Sequence, residues 1–266
     1  MKSLLVLMFS LSAHAESVTL GSVQTVPIVG AHGMVFSHKN ELILTDTFRS
    51  QDPCESSLFI FSKNEIAKGK FSGSGLAGIS KTQTGYLISD LQGSIVYETD
   101  KNLKVLNQWA VTNPWQAKAG PDGQVYIITY AGNFVRVTPT GRLTTLISGL
   151  DAPFDFAFTE NGHVWISEQG QADGRVSLWQ FDKNKFVRSF DSAFKWRNPE
   201  GLIYQGGNLW VLDTELGELI KVSFDGTTKS QIKNLGIPIL IETTQKSFVV
   251  FSNNYKGKPS LLSISL

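Results

Sequence analysis

His32, Asp155 and Glu200 are titratable side chains of this 266-residue chain that stand where apolar stretches begin and are of a type to move a proton. They sit in AHG (31–33), PFDF (153–156) and PEG (199–201), three short stretches that open on Ala or Pro and run into apolar segments. A neutral imidazole serves as base or ligand near pH 7. Carboxylates supply the oxygens that calcium takes. The equivalent stretch PWQ (114–116) offers Trp115 and Gln116 instead, and Phe154 precedes Asp155. Arg49, Tyr130, Glu168, Asn198 and Asp213 complete the set of candidate ligand contacts. Asp46, Asp90, Asp213 and Glu168 have a competing structural role. Each ends an apolar run, where a carboxylate commonly accepts hydrogen bonds from turn N–H groups.

Other arrangements fail on context. Gly73 to Gly78 (GSGLAG) matches a dinucleotide fingerprint letter for letter, but a strand-like segment follows where a helix must begin. No Ser stands in a G-x-S-x-G elbow. Cys54, the single cysteine, lies between Asp52 and Glu55, which disfavour a thiolate. It is available only to link a partner chain; a monomer is expected.

The elements that must position these residues form a repeat. NELILTD (40–46), GYLISD (85–90), GQVYIIT (123–129), GHVWISE (162–168), GNLWVLD (207–213) and SFVVFS (247–252) are copies of one short strand. They recur about every 40 residues. One strand precedes each copy, a third follows, and a fourth closes five of the six units. PDG (121–123), PTG (139–141) and ENG (160–162) supply turn chemistry between strands. No segment shows helical periodicity. The expected fold is all-β: a six-bladed β-propeller with four antiparallel strands per blade. The sixth unit ends at Leu266 without a fourth strand, so SVTLGSVQTV (17–26) is expected to close the last blade as its outermost strand.

Residues 1–15 read as a signal peptide, with Lys2, an apolar run over 4–11 and Ala13-His14-Ala15 as the cleavage site. Residues 16–266 then form the single propeller domain, exported to a periplasm or the outside of the cell. N-terminal sequencing of the exported form is expected to return Glu16; an intact Met1 would contradict this. A net charge of +1 excludes the basic excess of a nucleic-acid binder. No apolar run reaches the roughly 18–20 residues of a membrane span.

NPEGLIYQGGNLWVLDTELGELIKV (198–222) resembles the repeat of NHL propellers and of the gluconolactonase/senescence-marker (regucalcin-like) family. The resemblance implies a divalent cation (calcium, zinc or manganese) on the propeller axis, held by Glu, Asn and Asp side chains at the x of P-x-G-like turns. The matching positions here are His32, Ala77, Trp115, Phe154, Glu200 and Ile239. Asp155 and Gln116 follow that position by one residue, and strand side chains alternate in direction. They reach the axis only through a β-bulge. Two functions are therefore set against each other. One is binding of a small molecule, glycan or protein segment at the upper mouth of the channel, with no cofactor. The other is metal-dependent hydrolysis of lactones or esters using His32, Asp155 and Glu200. The insertions 47–57 and 169–174 belong to the same face.

Overall fold

The computed structural model describes residues 19–26, 28, 31–46, 56–62, 66–170, 173–182, 185–244 and 247–265. Arg49 and Cys54, the expected leader and most of the 47–57 insertion lie outside them. The described chain forms six four-stranded antiparallel sheets, one per repeat. The inner strands are Met34–Phe36, Leu76–Lys81, Pro114–Ala119, Pro153–Phe158, Pro199–Gln205 and Pro238–Thr243 in blades one to six. Each second strand is one of the repeated copies. Those at Leu42–Asp46, Gly85–Asp90 and Val164–Glu168 are buried at every residue. A strand covered on both faces needs a continuous apolar run, which explains why these copies do not alternate.

Blade-to-blade packing supplies the core. Trp165, Val176 and Leu178 of blade four meet Leu202, Leu209 and Val211 of blade five. Trp210 and Leu212 meet Phe248, Val250 and Leu262 across the next interface. Val35 and Ile43 meet Ile79 and Ile88 between blades one and two. The repeated glycine after the x position lets inner strands converge. A Cβ on Gly33 would sit 2.5 Å from Ala77 O, and one on Gly78 would sit 2.7 Å from Trp115 O. The requirement is close approach of backbones at the axis.

The N-terminal strand, Thr19–Thr25, pairs antiparallel with Lys258–Ser265 and is the outermost strand of blade six. Val26 and Ile28 follow it into the core at 1% and 0% exposure. The ring is closed non-covalently by both ends of the chain.

The inner strands carry a feature that alternation conceals. In five blades the pairing of inner to second strand slips at the x position: between Leu76 and Ile79, Pro114 and Gln116, Pro153 and Phe156, Pro199 and Leu202, and Pro238 and Leu240. A bulge re-aims side chains. Here it lets both Trp115 and Gln116, and both Phe154 and Asp155, line the axial space.

Candidate functional site

The channel is divided across its axis. His32, Trp115 and Phe154, from blades one, three and four, form a partition. The Trp115 ring lies 5.1 Å from the His32 ring and 5.3 Å, edge-on, from that of Phe154. Above it, on the face where the inner strands begin, is a pocket of about 240 Å³ lined also by Tyr130, Gln169, Glu200 and Ile239. Below it a larger space of about 330 Å³ runs down the channel past Gln116, Lys118 and Asp155.

Glu200 is the chemical centre of the upper pocket. It is 6% exposed. Its Oε1 accepts from Gln169 Nε2 at 3.0 Å and from Asn198 Nδ2 at 3.1 Å. Its Oε2 is buried, with the Thr214 hydroxyl beside it; that hydroxyl also donates to Pro238 O at 2.7 Å. Burial pushes the carboxyl up to about 8, against the three polar neighbours that favour its ionised form. Burial also pushes His32 down to about 4. At neutral pH the pocket therefore holds an uncharged acid and an uncharged imidazole. Tyr130, 60% exposed, stands at the rim with its ring 5.9 Å from Trp115.

The other expected site residues are placed elsewhere. Asp155 opens below the partition, apart from Glu200. Its Oδ1 pairs with Lys118 Nζ at 2.6 Å and accepts from Phe156 N, and its Oδ2 accepts from Leu202 N at 2.9 Å. It ties three adjacent inner strands together. Glu168 accepts from Asp151 N at 2.8 Å and is clamped by Arg175 at 2.5 and 3.0 Å. Asp213, fully buried, accepts from Arg197 N, Asn198 N and Leu216 N. Asp90 holds Ser74, Gly75 and Gly93 in the same way. These carboxylates fix turns, so Glu168 and Asp213 face backbone and arginine rather than the pocket. Gln169 was not singled out from sequence. Its one signal is that it begins the 169–174 insertion immediately after the repeat.

No family model matches the sequence. No curated protein matches it either. Solved structures do. A gluconolactonase from Xanthomonas campestris aligns at TM-score 0.72 and 13% identity over 90% of this chain and 86% of that one. Luciferin-regenerating enzyme gives 0.70 and 13% over 92% and 95%. Catalytically inactive virginiamycin B lyase from Staphylococcus aureus, solved with quinupristin, gives 0.68 and 11% over 94% and 100%. What they share with this chain is the fold.

The resemblance to gluconolactonase propellers thus holds for the architecture, and the cation it implies can be tested against the residues present. Of the six positions that would face it, Ala77, Trp115, Phe154 and Ile239 carry no oxygen or imidazole nitrogen to give. The bulge does not recruit Asp155, which is spent on Lys118 and two backbone N–H groups below the partition. Among the described residues no three His, Cys, Asp or Glu side chains converge as a cation shell requires. The residues present do not fit a resident divalent cation.

Proposed function

We propose that this is an exported propeller that binds an uncharged, hydroxyl-rich ring compound, such as a sugar or sugar lactone, in the upper pocket without a metal. The observation that carries the reading is the buried Glu200 carboxyl, pushed up to about 8, in an aromatic-walled pocket. A charged ligand would find no opposite charge among the described lining residues. An uncharged ring finds aromatic faces in Trp115 and Tyr130, which take the apolar face of a sugar. It finds amide and imidazole groups for its hydroxyls. The protonated Glu200 offers an O–H that a ligand oxygen can accept. At about 240 Å³ the pocket falls below the roughly 300 Å³ at which sites for drug-sized ligands begin, which suits a single ring.

Calorimetric titration with neutral monosaccharides and sugar lactones in EDTA tests this. Saturable binding is expected, weakened roughly three- to tenfold by Tyr130→Ala, the contribution of one aromatic contact. Glu200→Gln, which keeps a donor of similar shape, is expected to retain affinity at pH 6. It should also retain it at pH 9, where the wild type, ionised at Glu200, loses it. Binding confined to charged ligands, binding unaffected by Tyr130→Ala, or wild-type binding as strong at pH 9 as at pH 6 would overturn the reading.

A further inference from the structure

The space below the partition has a chemistry of its own that the upper pocket does not use. Its walls are apolar, with Val35, Ile79, Phe156, Ile203 and Leu240 among them. Its lower mouth, where the inner strands end, continues into a wider recess lined by Lys81, Gln205, Glu242 and Thr243. Two opposite charges stand at this mouth without meeting each other. The Lys81 ammonium donates to Ser37 O at 3.1 Å and has no ion-pair partner within 4 Å among the described residues. The Glu242 carboxyl accepts from Thr243 N at 3.3 Å and, among the described residues, has no cation within salt-bridge distance. Further up, Lys118 donates to Asp155 and to Phe156 O, which leaves one of its three protons uncommitted. At the upper end Gln116 Oε1 is buried without a donor.

Ionising the shielded Glu242 carboxyl is costly unless a cation reaches it. A molecule with one group of each sign brings that cation and offers its anion to the exposed Lys81. We propose that the lower channel is a second binding site, reached from the face opposite the upper pocket, for a small amino-acid-like zwitterion with an apolar side chain. The ligand carboxylate takes Lys81 and the free proton of Lys118. Its ammonium takes Glu242. The side chain enters the apolar channel, and the volume of about 330 Å³ accommodates a single amino acid. A simple anion would leave Glu242 unmatched, and a simple amine would leave Lys81 unmatched.

The probe is L-leucine, titrated calorimetrically at pH 8. Burial holds Glu242 up to about 7, with Lys81, Lys118 and Asp155 the charged groups facing it, so at pH 8 it is a carboxylate. Saturable binding is expected. Isocaproate, which lacks the amine, and isoamylamine, which lacks the carboxylate, should each bind about tenfold more weakly or worse, the loss of one charge-assisted contact. Lys81→Gln and Glu242→Gln should each cost leucine a similar factor. Lys229→Gln, on the outer strand of blade five, removes the same charge from an exposed position and should change nothing. Lys81 is exposed at the mouth, so its variant keeps the test valid even where Glu242→Gln disturbs folding. Absence of leucine binding, equal binding of either single-charge analogue, or binding that survives Lys81→Gln would overturn the proposal.

Discussion

Glu200→Gln is expected to flatten the dependence of stability on pH between about 5 and 9. The folded-state carboxyl is raised from 4.5 to about 8, so across that window the folded state binds a proton that the unfolded state has released. Stability then falls as pH rises, and the loss is complete above the folded value. For a shift of this size the loss is on the order of a few kcal/mol. Glu242, raised to about 7, adds a slope of the same sign. His32, lowered to about 4, adds one of opposite sign: its contribution is lost as pH falls from 6.5 towards 4. The difference between wild type and Glu200→Gln isolates the one carboxyl. Urea denaturation at pH 5, 7 and 9 measures it. The variant should be the more stable protein at pH 9 and close to wild type at pH 5. Parallel pH profiles would show that Glu200 is ionised in the native state throughout.

Deleting residues 16–28 is expected to be the most damaging truncation of residues 16–266. It removes the Thr19–Thr25 strand, leaving Lys258–Ser265 as an open edge, a template for aggregation. It also removes Val26 and Ile28 from the core. Burial of those two side chains alone stabilises by about 3–6 kcal/mol. In a domain of this size that corresponds to a melting temperature roughly 10 °C lower or more. A synthetic peptide of residues 16–28 added in excess should restore part of the loss, since the closure is non-covalent. A truncated protein that melts like residues 16–266 would contradict the role of this strand.

The architecture was readable because it is written as a repeat. Second strands such as LILTD and VWISE, buried on both faces, cannot drift in composition, and turns such as PDG and ENG punctuate them. Closure was readable from bookkeeping, since the last unit is one strand short and the N-terminal stretch has none to join. The site was less legible because it depends on backbone register. Alternation predicts that adjacent residues point to opposite sides, and so sets Trp115 against Gln116 and Phe154 against Asp155. The bulge at that position cancels the expectation, and no side chain marks it. The lower channel was missed for a related reason. Lys81, Lys118 and Glu242 each end or nearly end an inner strand, where a charge reads as a solvated strand end. The available signal was its recurrence: three inner strands of otherwise apolar or aromatic character, LAGISK, PWQAKA and PILIET, each carry one charge near their lower end.

Under the proposed function Glu200 works as a neutral acid in a pocket that needs no cation. Melting temperatures of the wild type and of Glu200→Gln, each measured in EDTA and in millimolar calcium, zinc or manganese, test it most directly. At a given pH, cations are expected to shift neither protein relative to EDTA. A cation-dependent stabilisation of the wild type that Glu200→Gln abolishes would contradict it and place a metal on Glu200.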